Sequence, residues 1–390
     1  MEKNRLIIAA AGAGKTTYMV EEALNRTGNV IITTFTIENE SEIRNKILKK
    51  CGYIPKHITI QTWFSFLLQH GVKPYQGTCH SDMFGKDIKG ILLVEGQSGV
   101  KYTFKKNGKI VHVSYDEESE FLDYYFCKDL KIYTDKLAKF VCRANKKAKG
   151  YVIDRISRIY PYIYIDEIQD LSGYDLEIVK LLYHSQSEIL CVGDPRQVTY
   201  STHWERKNQL YRNGNIKKYI VEQCYKRDKI IIDENTLNYS HRNNKQICDF
   251  SSLLYPNYPH VIPCSCADCH PSTVAHQGIY LVRLSALNDY LSIYKPVQLK
   301  YDTRVKIDTQ YDSFNFGESK GKGFDRVIIY PTGNILKWLF DHKLKLEDQT
   351  RAKLYVAITR ARYSVAFVLC DDICNKIKDI PIWYKEGEQT

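Results

Sequence analysis

With 390 residues, 44% of them hydrophobic and 26% charged, the chain can bury a sizeable core in two or three domains and is not a disordered tract. No apolar run reaches the roughly 20 residues that span a bilayer, which argues against an integral membrane protein. The formal net charge of +11 favours a polyanionic partner. Twelve cysteines spread along a chain with no signal-peptide pattern read as free thiols, so a cytoplasmic protein is expected.

In chain order, "RLIIAA" (5–10), "NVIITT" (29–34) and "HITIQT" (57–62) are short, β-branched and apolar, as buried parallel strands should be. Residues 14–26 and 38–50 between them carry helical spacing, with Ile43, Ile47 and Leu48 on one face of the second. Residues 76–150 then interrupt the alternation. There, "VKYTFKKNGKIVHVSY" alternates around Asn107-Gly108, a strong two-residue hairpin signal, and the basic "RANKKAKG" comes after it. Strands resume at "YIYID" (162–166) and "EILCVGD" (188–194), with the helical "YDLEIVKLLYH" between them. Further strands are expected at "GIYLVRL", "PVQLKY", "FDRVIIYP" and "YSVAFVLC". The pattern predicts an α/β fold with two parallel-sheet domains. The first takes residues 1–75 and 151–215, a small α+β insert takes 76–150, and the second takes 216–390.

"AAAGAGKTT" comes directly after the first strand and opens a helix, so residues 9–17 (Ala9, Ala10, Ala11, Gly12, Ala13, Gly14, Lys15, Thr16 and Thr17) read as a phosphate-binding loop. Gly12 and Gly14 let backbone N–H groups turn toward phosphates, Lys15 reaches the β/γ-phosphates, and the Thr16 hydroxyl suits Mg²⁺. The chain is thereby expected to bind a nucleoside triphosphate. In such sheets ligands sit beyond the carboxyl ends of the strands. Asp166 is placed there as a Mg²⁺ partner, and Glu167 as the group that orients or deprotonates the attacking water. Asp170 or Ser172 can meanwhile cap the next helix. "PCSCADCH" sets Cys264, Cys266, Cys269 and His270 together, but no second ligand pair is obvious for zinc, so incidental loop thiols are expected.

Taken together, "AAAGAGKTT" and "IYIDEIQD" with the motifs around them resemble the UvrD/Rep group of superfamily 1 DNA helicases. "TFTIENESEI" and "ITIQTWFSFLL" are similar to that group's two DNA-contacting segments, and Gln169 in "DEIQD" is a feature of it. "CVGDPRQVTY" resembles the sensor motif, with Gln197 in the γ-phosphate-sensing position. "LNYSHRNNKQICDFS" and "KLYVAITRARYSVAFV" place Arg242 and Arg360 where the family's arginine fingers stand, and "ESKGKGFDRVIIYPT" resembles the motif before the last.

The resemblance implies two RecA-like domains whose closure on ATP and Mg²⁺ drives 3′-to-5′ movement on single-stranded or partly duplex DNA. Phe35, Thr62, Trp63, Tyr200 and Trp204 would contact the DNA, the aromatics by stacking on bases. Two further expectations concern the nucleotide: with the chain starting at Met1, the upstream adenine-reading glutamine has no counterpart, and Gly323 replaces a ribose-contacting acid. Residues 253–315 are also too few for the large second insert of full-size relatives, which implies a compact form. The pathway implied is DNA repair or anti-phage defence. The alternative reading is a nucleotide-gated subunit that serves a nuclease partner, as small UvrD-like proteins do in anti-phage systems such as Gabija.

Overall fold

The computed structural model of the chain describes residues 4–199, 207–225 and 230–385. The apolar runs form strands where expected: β1 (Asn4–Ile8), β2 (Val30–Thr34) and β3 (Ile58–Thr62), with helices α1 (Lys15–Leu24) and α2 (Ile37–Cys51) between them. Thr36 caps α2 by accepting the Asn39 N–H, and Gly52 ends it in the left-handed region at φ +77°. The hairpin β4 (Val100–Lys106) and β5 (Lys109–Ser114) turns on Asn107 and Gly108, both at positive φ (50° and 73°), the geometry this dipeptide favours. Helices α3 (Thr134–Lys147) and α4 (Tyr151–Ile159) lead into β6 (Tyr162–Ile165). After it come α5 (Tyr174–Tyr183), β7 (Glu188–Gly193) and β8 (Ile230–Asp233).

These strands make a six-stranded sheet in the order β8-β1-β7-β6-β2-β3, and the β8·β1, β7·β6, β6·β2 and β2·β3 ladders are parallel. Every residue of β2 is buried, as a central strand covered on both faces must be. Two of the four basic side chains in the run at 143–150 are held within the chain. Arg143 pairs with Glu117 and Glu118, and Lys147 donates to the Cys79 carbonyl at 2.8 Å.

The second sheet contains β9 (Gly278–Arg283), β10 (Val297–Lys300), β11 (Ser313–Asn315), β12 (Phe324–Tyr330) and β13 (Ala361–Leu369). Its order is β9-β13-β12-β10-β11, parallel throughout. Helices α6 (Lys245–Ser252), α7 (Leu287–Tyr294), α8 (Gly333–Phe340) and α9 (Asp348–Thr359) cover it on two faces. On one side Leu281, Leu299, Val327, Ile329 and Phe367 pack with Ile247, Phe250, Trp338 and Leu354. On the other, Val282, Ile328 and Ala366 pack with Tyr290, Leu291 and Trp383. The alternation along β12 is the period-two signature of a doubly covered strand. The α/β class with two parallel sheets is therefore the architecture observed.

The chain divides into two units. One is built on Thr16–Gly193 with the flanking segments that end at Ile7 and Asp233. The other takes Ile8–Lys15, the short segment beginning at Asp194, and the chain from Glu234 onward. The expected boundary at 216 moves to 234, because Ile230–Asp233 adds a parallel edge strand to β1. Among the described residues no helix is long and apolar enough to cross a membrane.

Candidate functional site

In the first unit, β6 delivers Asp166 to its carboxyl end, where the side chain is buried (5% exposed). Its Oδ2 accepts from the Thr16 hydroxyl at 3.1 Å, and its Oδ1 accepts from the Glu167 N–H at 2.9 Å. A hydroxyl and a carboxylate from distant parts of the chain thus converge, an oxygen donor set suited to Mg²⁺. Glu167 sits in the left-handed region (φ +53°), a conformation that costs a non-glycine residue of order 1 kcal/mol or more. That turn holds Glu167 half-exposed, able to meet solvent, while the buried Gln169 amide donates to its carboxylate. Gln169 in turn explains Gly193 at the end of β7: a Cβ there would overlap the Gln169 amide and stand 2.7 Å from Ile168 Cγ2. Asp170 is buried, and its N–H closes the short turn onto the Glu167 carbonyl at 2.9 Å. The Thr17 hydroxyl accepts from Lys46 Nζ at 3.2 Å.

The aromatic expectation needs one correction. Trp63 is 1% exposed and its indole N–H donates to Asp175 at 2.8 Å, so it is a core residue and not a stacking platform. The neighbouring Phe64, which the sequence reading passed over, is half-exposed and lies edge-to-face with the half-exposed Phe35, ring centroids 5.3 Å apart. Thr62 caps the one-turn helix Trp63–Phe66 by accepting the Ser65 N–H at 3.2 Å, so its hydroxyl already has a structural task. Tyr200 and Trp204 lie outside the described residues.

In the second unit, the loop of Ala9, Ala10, Ala11, Gly12, Ala13, Gly14 and Lys15 leads into α1. The four alanines are buried, and Gly12 and Gly14 adopt φ of +74° and +83°. A Cβ on Gly12 would meet Ser240 Oγ at 2.7 Å and Arg242 Cβ at 2.8 Å, so glycine is required for both conformation and space. Ser240 donates to the Ala11 carbonyl at 3.2 Å, and the His241 N–H donates to the Gly12 carbonyl at 2.9 Å. Lys15 Nζ folds onto the carbonyls of Ala9 (3.1 Å) and Ala10 (2.9 Å), a cation held over the loop.

Gln197 and Arg360 meet in the same unit. The Arg360 guanidinium is 2% exposed and donates to Gln197 Oε1, Val356 O and Lys322 O, each at 3.1 Å. Arg242 is half-buried, with Nη1 3.4 Å from the Thr359 carbonyl. The side chain of Arg242 lies over Gly323, where a Cβ would stand 3.5 Å from Nε.

The sequence reading also missed Asp194, which is fully buried. It accepts from Arg196 Nε (2.7 Å), Gln197 Nε2 (2.8 Å) and the Tyr355 hydroxyl (3.3 Å). Burial alone would push its carboxyl up, but Arg196, Lys15 and the Gln197 amide outweigh that and hold it below the usual carboxylate range. Tyr355 in turn accepts the Ala11 N–H at 3.4 Å, and Lys320 donates to the Gln197 carbonyl at 3.0 Å. The signal for Asp194 was its position at the end of an apolar strand, the same signal that marked Asp166. Tyr355 and Lys320 carried none, because their partners are distant in the chain.

The family described as UvrD/REP helicase N-terminal domain matches residues 101–250. The ATP-dependent DNA helicase Rep of Buchnera aphidicola subsp. Schizaphis graminum is 25% identical over 66% of this chain and 45% of its own length. A probable DNA helicase II homolog of Mycoplasma capricolum is 25% identical over 66% of this chain and 39% of its own. The chain thus spans less than half the length of these relatives. Among solved structures, the Arterivirus nonstructural protein 10 helicase aligns over 96% of this chain and 62% of its own at 14% identity, with a TM-score of 0.46.

Proposed function

We propose that the chain acts as a UvrD/Rep-like helicase, binding ATP with Mg²⁺ and coupling its hydrolysis to 3′-to-5′ movement on single-stranded DNA. The observation that carries the nucleotide part is the Thr16–Asp166 pair at 3.1 Å, a hydroxyl and a carboxylate brought together from the loop's helix and the end of β6. Mg²⁺ and ATP supply the electrophilic phosphorus and its charge. The protein's own groups do the rest. Gly12, Gly14 and the start of α1 present N–H groups to phosphate, and Lys15 neutralises it. Thr16 and Asp166 offer oxygen donors to the cation. Glu167, held half-exposed by its left-handed backbone, accepts a proton from water. Gln197, Arg242 and Arg360 supply donors and positive charge for the developing negative charge.

DNA as the track is supported by the net charge of +11 and by the half-exposed Phe35–Phe64 pair. A compact motor is supported by the stretch 253–315, which is taken up by elements of the second sheet, β9, α7, β10 and β11. The test is ATP turnover with and without single-stranded DNA. Stimulation by DNA, lost in Lys15→Ala, is expected; turnover indifferent to DNA would sink the motor reading. The competing role, a nucleotide-gated subunit serving a nuclease, is separated by displacing streptavidin from 3′- or 5′-biotinylated strands. Displacement from one end only marks a motor and its polarity, whereas ATP hydrolysis without displacement marks a switch.

A further inference from the structure

The three cysteines of the 264–269 loop need a fourth metal ligand, and in the sequence the adjacent His270 is the obvious candidate. In the second unit His270 turns away, its Nε2 3.1 Å from the Ser240 carbonyl oxygen. The imidazole that reaches the thiols is His241, from a different part of the chain. Its Nδ1 lies 3.8 Å from Cys269 Sγ, and the ligand atoms of His241, Cys264 and Cys269 all lie within 4.8 Å of one another. Cys266, on the same turn, is the next thiol along, and its sulfur lies outside that set of three.

The backbone accounts for this convergence. Tyr239–Ser240 and Ile262–Pro263 form a two-residue parallel ladder, and the Cys264 N–H donates to the Ser240 carbonyl at 2.9 Å. His241 and Cys264 therefore leave the ladder side by side, and the turn 264–269 folds Cys269 back to them. So short a ladder has little stability of its own.

We propose that His241, Cys264 and Cys269 bind one Zn²⁺, with Cys266 of the same turn moving in to close a tetrahedral site. With Zn–S near 2.3 Å and Zn–N near 2.0 Å, an S···N edge of such a tetrahedron measures about 3.5 Å, close to the 3.8 Å already present. Three thiols and an imidazole select zinc over Mg²⁺ or Ca²⁺, and four protein donors leave no position open for chemistry. The ion is therefore structural. It ties the 264–269 turn to the segment Ser240–Arg242, whose Ser240 and His241 hold the carbonyls of Ala11 and Gly12.

The test uses the full chain purified under reducing conditions without chelator. One zinc per chain by mass spectrometry of the metal is expected. Apoprotein titrated with Co²⁺ should develop the visible absorption of a tetrahedral thiolate site, which Zn²⁺ then bleaches. Cys264→Ser, Cys266→Ser, Cys269→Ser and His241→Ala should each lose the metal, while His270→Ala and Cys370→Ser keep it. His241→Cys, which preserves a four-donor set, should restore zinc and rule out simple misfolding as the cause of the losses. Metal-free wild type with no Co²⁺ spectrum, or zinc lost with His270→Ala but kept with His241→Ala, overturns the assignment. Because metal content is read directly, either result is independent of ATP hydrolysis and of the motor reading.

Discussion

The carboxylates of the first unit and the cations of the second are positioned by different means. Asp166 and Glu167 are oriented mainly from within a few residues: a backbone N–H, a left-handed turn and the Gln169 amide, with Thr16 joining from farther along the chain. Arg242 and Arg360 rely on partners 117 and 163 positions away, Thr359 and Gln197 respectively. A local device survives changes elsewhere and fails only when its own residues change. A long-range device is as sound as the packing of the whole unit, so its variants should disturb fold and chemistry together.

Arg360→Ala puts the larger strain on that distinction. An arginine that stabilises phosphoryl transfer is worth about 10³–10⁵ in kcat, and a loss in that range is expected in single-turnover ATP hydrolysis. Because the guanidinium also bridges Gln197, Val356 and Lys322, the melting temperature should fall as well. Arg360→Lys should recover little activity, since an ammonium cannot reproduce the planar fork. A loss of tenfold or less would remove Arg360 from the chemistry. Glu167→Gln should cost somewhat less, about 10²–10⁴ in kcat, as the removal of a general base does. Here ATP affinity and melting temperature should stay close to wild type, because the amide keeps the size and the turn is local. If Glu167→Gln melts as early as Arg360→Ala, the contrast between local and distant support is wrong.

The same contrast governs what the sequence made legible. Both sheets were readable because buried parallel strands are continuous β-branched runs, and Asn107-Gly108 announces its own turn. The acidic end of β6 and the glycine-bearing loop before α1 were readable because each motif is contiguous. Ile230–Asp233 was not, since three isoleucines in a polar stretch look like a loop until β1 provides an edge. Asp194 with Tyr355, and His241 with the thiols, join residues far apart in sequence, and one chain offers no sign of such pairings. Trp63 and Phe64 were confused for a subtler reason. Successive helical residues point about 100° apart, so the helical start capped by Thr62 decides which ring is buried.

That pair yields the next expected effect. Trp63→Ala should destabilise the first unit by about 3–5 kcal/mol, the cost of emptying a large aromatic site, made worse by an Asp175 left without its indole donor. Phe64→Ala should leave denaturant midpoints nearly unchanged and weaken binding of a fluorescent single-stranded oligonucleotide by about 1–3 kcal/mol, with Phe35→Ala behaving alike. The two measurements should therefore separate adjacent residues. DNA binding that is unaffected by Phe64→Ala would remove the aromatic pair from the interface.

The smallest expected effect is a pH dependence that both units share for the same reason. Burial, with Arg155 nearby, lowers His70 in the first unit to about 4, and burial with Arg326 nearby does the same to His276 in the second. In the unfolded chain both return to about 6.5. Between these values the unfolded state takes up protons that the folded state refuses, so stability is full above about pH 6.5 and declines as pH falls toward 4. His70 packs against Phe66 and Tyr160, so His70→Phe keeps an aromatic ring and removes the titration. His276 has φ +56° and stacks on Tyr280 and Tyr294; His276→Asn keeps a residue that tolerates that backbone, at some loss of absolute stability. Melting curves from pH 7.5 to 5 should show each substitution flattening the decline of its own unit. A slope unchanged in both would mean that these histidines do not carry the decline; Asp194 does not carry it either, because its depressed carboxyl loses its contribution only at lower pH.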